Sequence, residues 1–309
     1  MSPILDSVLP IFALIGLGRV LKHVGFIDEQ FLNVSDRLIY FILFPAMLFW
    51  KIGSPSGDAT DVDWALVTAA VGSIFTVFVG SLVFAKLTSM DHYHVGSFAQ
   101  ACFRFNTYVG MAVVLTSLGE PGVKCFGILI GFVIPLINVL SVGTLIWFSG
   151  EDYAFREKTL IFLKALVLNP LILACIAGML YSRLHVPLPR FVENTLSLMS
   201  VTALPLALVS IGGSLTFEGL RKQLKPAMVA DIFKLVLLPV IGYLLLRLFQ
   251  VSDTSFKVGM IYFALPTTPS IYILSRQLHS DLDLATAAVV LSVLLSIGSL
   301  SAVLIVFVG

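Results

Sequence analysis

Two short segments of this sequence place polar chemistry inside otherwise apolar surroundings. The first is Cys102-Phe103-Arg104-Phe105-Asn106-Thr107-Tyr108-Val109-Gly110, and the second is Ala264-Leu265-Pro266-Thr267-Thr268-Pro269-Ser270. A guanidinium offers a planar fork of donors that fits a carboxylate bidentately. Asn106, Thr107, Thr267, Thr268 and Ser270 add an amide and hydroxyls. Pro266 and Pro269 cannot both sit inside a continuous helix without loss of backbone hydrogen bonds. The residue before a proline is pushed out of the helical region, so a helix arriving here stops near Leu265. A new helix can begin with Thr268 as N-cap and Pro269 at its first position, where the missing N–H costs nothing. Asn106 is placed to cap another new helix in the same way, with Gly110 easing close packing. Two helix N-termini then present unpaired N–H groups and partial positive charge beside Arg104. That combination predicts a site for a small organic anion. The structural alternatives are a simple proline kink at 266–269, an Arg104 paired with a carboxylate, and an Asn106 that only bridges helices.

The remaining intramembrane polar residues are sparser. Asp231 and Lys234 stand three apart, on one face of a helix, a spacing that suits a structural ion pair or a proton relay. Asn169-Pro170, and Asn138 following Pro135, read as residues that shape helices. The five histidines fall at segment ends or connectors, and His92-Tyr93-His94 lacks the further ligands a metal site needs. Three cysteines, Cys102, Cys125 and Cys175, lie in apolar segments as small buried thiols, and their odd number argues against a disulfide framework. No Gly-x-Gly-Asp, His-Glu-x-x-His, Gly-x-Ser-x-Gly or Walker arrangement is present, so neither an intramembrane enzyme nor an ATP-driven pump is indicated and no cofactor is expected.

These residues need elements long enough to hold them at depth, and the composition supplies such elements. Of 309 residues 58% are hydrophobic and 12% charged, with mean hydropathy +1.00. Soluble domains carry roughly 25% charged residues. The net charge of +1, with no basic run, excludes a nucleic-acid partner. Apolar stretches of bilayer length fall at 3–22, 34–52, 63–87, 95–118, 122–148, 159–182, 190–215, 226–249, 255–279 and 283–308. The first has no basic n-region or cleavage site and reads as a true span. On one face lie eleven Lys and Arg, among them Arg19, Lys22, Lys86, Arg156, Lys222 and Arg276, and on the other six, among them Lys51, Lys124, Arg183 and Arg247. Positive charge is retained on the cytoplasmic side. Both termini are therefore expected outside and the central connector Gly150–Lys158 inside.

The reading is an all-α polytopic membrane protein of ten transmembrane helices, built as two inverted five-helix repeats, 1–150 and 151–309. Helices 4 and 9 are broken where they cross. Five spans per half make the halves enter the bilayer in opposite senses. Phe44-Pro45-Ala46-Met47-Leu48 resembles Leu204-Pro205-Leu206-Ala207-Leu208, and Val95-Gly96 resembles Val258-Gly259, at nearly the same separation. Arg104, nine residues into its span and so roughly 14 Å deep, costs about 2.5–3.5 kcal/mol on insertion scales unless protein surrounds it.

The order of several motifs resembles the bacterial auxin efflux carrier family. They are Leu9-Pro10-Ile11-Phe12 to Gly16-Leu17-Gly18, Gly25-Phe26-Ile27, Leu43 to Phe49, Phe103-Arg104-Phe105-Asn106, Asn169-Pro170 with Gly178, Ala203 to Leu208 through Gly212 and Leu215, Lys234 with Pro239, and Ala264-Leu265-Pro266-Thr267 with Arg276. The resemblance covers essentially the whole chain. It implies a fold shared with the plant PIN-formed carriers and, more distantly, with bile acid–sodium symporters. Helices 1, 2, 6 and 7 would form a scaffold, often a homodimer interface. Helices 3–5 and 8–10 would form a mobile core that moves like an elevator in the bilayer. Substrates of such proteins are carboxylates, including malonate, malate and indole-3-acetate. The implied site is Arg104, Asn106 and Thr267 to Ser270. Span 4 lacks the proline that the plant carriers have at that crossing, and the central connector is short. A small mono- or dicarboxylate is thus expected rather than auxin, in a bacterial inner membrane.

Overall fold

The computed structural model describes residues 3–53, 62–148, 168–184, 186–217, 220 and 222–308. The central connector and the first part of the expected sixth span lie outside the described residues. Among those described the regular structure is helical throughout: α1 (Pro3–His23), α2 (Glu29–Gly53), α3 (Trp64–Leu87), α4 (His92–Phe103), α5 (Thr107–Phe148), α6 (Pro170–Ser182), α7 (Arg190–Ser214), α8 (Leu224–Leu248), α9 (Asp253–Phe263), α10 (Ser270–Gln277) and α11 (Leu282–Phe307). Six helical stretches are long and apolar enough to cross a membrane: α2, α3, the α4–α5 run, α7, α8 and α11. Leu198, Val201 and Leu248 are at least 70% exposed. Such apolar side chains turned outward fit lipid rather than water.

The boundaries follow local chemistry. Asp28, Asp63, Asp91 and Asp281 cap α2, α3, α4 and α11 through side-chain oxygens, and Asn169 caps α6 with Pro170 at its first position. A 42-residue α5 would run to about 63 Å, twice a hydrocarbon core. Gly119 divides it, with φ of +65°, a conformation glycine adopts without penalty. A Cβ on Gly110 would stand 2.5 Å from the ring of Phe126. The two arms therefore lie side by side, and the chain reverses at Gly119 where the sequence reading separated spans 4 and 5.

α2 and α8 each contain one wide turn ahead of a proline. The Phe44 N–H bonds Ile39 O before Pro45, and the Leu238 N–H bonds Phe233 O before Pro239. A proline ring inside a helix clashes with the carbonyl four residues back and takes no hydrogen bond. The i→i+5 turn accommodates that lost bond without ending the helix.

The packing falls mainly into two sets of helices, with α5 also touching α1, α2, α6 and α7 and α11 touching α1. α1 lies against α7, and α2 against α6 and α7. α3, α4, α5, α8, α9 and α11 pack among themselves, with α10 held between α4 and α11. The α1–α7 crossing is backbone on backbone. A Cβ on Gly18 would meet Val209 O at 2.0 Å, and one on Gly212 would meet Ile15 O at 1.8 Å. One end of the molecule gathers Arg19 with Leu215 O, Lys22 with Glu29, and His94 with Asp281. The opposite end gathers Lys51 with Glu120 and Ser252 with Asp63.

Gly212→Ala is therefore expected to force α1 and α7 apart and to lower the detergent melting temperature by several degrees, whereas Gly16→Ala, with open space around its added Cβ, leaves it unchanged. Thermal unfolding followed by intrinsic fluorescence checks the contrast.

Candidate functional site

The broken helices are built as the sequence predicts, and they meet. α4 stops at Phe103, Arg104 is extended (φ −67°, ψ 151°), and α5 starts at Thr107 with Asn106 Oδ1 accepting from the Tyr108 and Val109 N–H groups at 3.1 and 3.2 Å. α9 stops at Phe263, and α10 starts at Ser270. Pro269 is already in the helical region, and Thr268 Oγ1 accepts from the Ser270 N–H at 3.4 Å. Thr268 thus caps the new helix weakly, with Pro269 following it.

Several backbone groups at the crossing are satisfied from another element. The Asn106 N–H donates to Pro266 O at 2.9 Å and ties one break to the other. On α11, Ser292 Oγ accepts from the Thr267 N–H at 3.1 Å and Ser299 Oγ donates to Ala264 O at 2.7 Å. From α8, Lys234 Nζ donates to Phe263 O at 3.2 Å. Irregular backbone at membrane depth survives only under such compensation.

Arg104 is 8% exposed. Its Nη2 donates to Ser270 Oγ at 3.0 Å, and Ser270 Oγ in turn donates to Thr268 Oγ1 at 3.2 Å. Its Nε and Nη1 are buried without partners, and among the described residues no carboxylate forms an ion pair with it. A structural Arg–carboxylate pair is thus not what holds it. Asn106, with Oδ1 committed to the cap, keeps Nδ2 buried and unpaired, and Thr267 Oγ1 is likewise free. Thr107, Pro269 and Ser270 are half-buried beside these groups, and Pro266 is buried. The structure links Arg104, Ser270 and Thr268 by one set of hydrogen bonds and Asn106 with Pro266 by another. Thr267 is held through its backbone, and no hydrogen bond of the Thr107 side chain joins either set.

Two expectations need correction. The helix N-termini do not stand open, because Asn106 and Thr268 consume the first N–H groups of α5 and α10 themselves. The unsatisfied donors are instead the side chains, Arg104 Nε and Nη1 and Asn106 Nδ2. Asp231 and Lys234 form no ion pair. The wide turn Phe233–Leu237 begins between them and swings Lys234 to the carbonyl end of α9, the negative end of its dipole, while both Asp231 oxygens remain unpaired.

Sequence reasoning missed the supporting serines and one aromatic neighbour. Ser292 and Ser299 carry no signal in sequence beyond being hydroxyls in an apolar helix. Gln100, one turn before Arg104, reaches Ser275 at 3.5 Å, and Ser275 bonds Ser97 at 2.8 Å, which laces α4 to α10. From α2, Tyr40 lies within electrostatic reach of Arg104, and Phe44 stacks edge-on against Tyr108 with centroids 4.7 Å apart.

A membrane protein with two broken helices crossing at a buried, unpaired arginine belongs to the class of membrane transporters rather than of enzymes. Its sequence matches the family described as Membrane transport protein over residues 3–304, and the chain belongs to that family, the auxin efflux carriers. A relative from Rhizobium meliloti (strain 1021), named "Putative malonate transporter", is 25% identical over 98% of this chain and 96% of its own length. Uncharacterised transporters of Methanothermobacter thermautotrophicus and Methanocaldococcus jannaschii are each 20% identical, over 96% and 95% of this chain and 95% of their own lengths.

Ser292→Ala is expected to leave the Thr267 N–H buried and unpaired, which costs about 1–3 kcal/mol. The purified protein should unfold at a measurably lower temperature, and Ser299→Ala, which removes the donor to Ala264 O, should lower it as well.

Proposed function

We propose that this chain is a secondary transporter of small mono- or dicarboxylates, with Arg104 as the principal ligand. The observation that carries this reading is the pair of buried, unpartnered guanidinium nitrogens beside an unpartnered amide donor, Asn106 Nδ2. A buried charge with free donors is costly unless an opposite charge fills the space. A carboxylate matches the fork in shape and charge. Thr267 Oγ1 and Ser270 Oγ border the same place and would orient the rest of the substrate. The name of the Rhizobium relative puts malonate first among candidates, and malate, succinate, lactate and indole-3-acetate complete the panel. No nucleotide motif is present in the sequence, so transport would draw on ion or substrate gradients.

The working arrangement is an elevator. α1, α2, α6 and α7 would serve as scaffold, and two copies would pair through it. α3–α5 and α8–α11 would carry the site across the bilayer as one body. The helix partners along each group support this division. Near the site the groups meet through Phe44 and Tyr108, with Tyr40 within electrostatic reach of Arg104, and the Lys51–Glu120 pair and the bond from Cys175 Sγ to Gly127 O would have to open as the core moves. The two groups draw on both halves of the chain, as two inverted repeats at 1–150 and 151–309 would. The chain would reside in the inner membrane of a bacterium with both termini outside.

Solid-supported-membrane current on proteoliposomes, recorded for the panel with and without sodium, tests the reading: a current specific to one carboxylate class is expected. Arg104→Ala should keep a folded, monodisperse protein and weaken malonate binding, measured calorimetrically, by roughly 10- to 100-fold, the worth of a charge-assisted bidentate contact. Arg104→Lys should recover only part of it, since an ammonium cannot reproduce the fork. Unchanged affinity in Arg104→Ala would reject the anion site.

A further inference from the structure

Asp231 and Lys234 are two buried ionisable groups that the anion site leaves unused. They stand about 10 and 15 Å along α8 from its start, at 2% and 0% exposure. Neither carboxylate oxygen of Asp231 has a partner. Lys234 is held on Phe263 O, the residue directly before the irregular segment that carries Thr267 and Ser270. An ionised carboxylate with no donor is strongly disfavoured at such a place, whereas a neutral carboxyl is tolerated. An ammonium at the carbonyl end of a half-helix is favoured by the dipole. The arrangement is therefore the one expected when Asp231 carries a proton and Lys234 is free to serve α9.

The charged and titratable groups around Asp231 are few. Lys234 on its own helix and the buried thiol of Cys102 on α4 lie within electrostatic reach. The other packed helices bring Lys86 on α3, His92, Tyr93 and His94 on α4, Asp253, Lys257 and Tyr262 on α9, and Asp283 at the start of α11; His94 pairs with Asp281, and none of these is bonded to Asp231 or Lys234.

We propose that Asp231 is the proton site that couples transport, read out through Lys234 at the end of α9. A proton from water adds to the carboxylate oxygen and gives the neutral acid. Lys234 then remains on Phe263 O and supports the crossing in its anion-binding form. Release of the proton leaves a carboxylate one turn from Lys234. The ammonium turns toward it, and the end of α9 loses its counter-charge. Proton and anion are thereby linked without touching one another. The inference rests on the transport reading of the crossing, and it names the coupling ion that the reading leaves open.

The test is malonate uptake into proteoliposomes held at zero membrane potential, with and without an imposed pH gradient, for the wild type, Asp231→Asn and Asp231→Glu. The gradient should stimulate the wild type severalfold and Asp231→Glu partly. Asp231→Asn, which mimics the neutral acid, should ignore the gradient yet keep malonate counterflow. Counterflow with no pH response in the wild type, or an undiminished response in Asp231→Asn, overturns the proton site and leaves the anion site standing. Absence of wild-type counterflow removes the transport reading instead. Infrared difference titration of the purified protein then decides separately: a carboxyl protonation band lost in Asp231→Asn supports the proton site, and identical spectra overturn it.

Discussion

The structure depends on a single constraint: backbone left unpaired in a medium without water must find its hydrogen bonds elsewhere. Breaking two helices at mid-membrane exposes several such groups, and the bond from the Asn106 N–H to Pro266 O is what lets the two breaks answer one another. Lys234, Ser292 and Ser299 supply the remaining partners from α8 and α11. The crossing is thus a shared product of six helical segments and not a property of either broken helix. It also explains why the polar residues of this chain concentrate here while the outward faces stay apolar.

What remains after the backbone is served is a surplus of donors. Asn106 illustrates how the surplus arises. Its oxygen ends up on α5's first turn, so its nitrogen has to look the other way, into the crossing. Arg104 spends one nitrogen on Ser270 and keeps two. The donors left over at this crossing owe their direction to the geometry of the breaks as much as to the arginine itself.

Much of this could be read from residue types. Pro266 and Pro269 announced the break in one helix because their geometry admits few alternatives. Arg104 announced a protein-surrounded position because an arginine in an apolar segment needs a reason, and it is buried at the break between α4 and α5. Asn169-Pro170 marked the start of α6. The partners of the crossing were not legible, because a serine in an apolar helix looks alike whether it bonds its own turn, as Thr286 does, or another segment, as Ser292 and Ser299 do. Lys234 was misassigned for a more instructive reason. Spacing arguments assume 3.6 residues per turn, and the wide turn that accommodates Pro239 changes the direction in which Lys234 points. Proline was visible, but the way the chain absorbs it was not.

The two serines of α11 carry one further consequence. They stand seven residues apart, two helical turns or about 10.5 Å, and they grip the chain at two points, Ala264 and Thr267. The helix therefore acts as a gauge block for the irregular segment. Side chains there can vary in kind, because the gauge touches only main-chain atoms. Its length cannot vary, because one residue more or fewer would carry Thr267 off its notch and rotate every donor out of line. Diversification of such a crossing is confined to substitution, with insertion and deletion left to the loops at the ends.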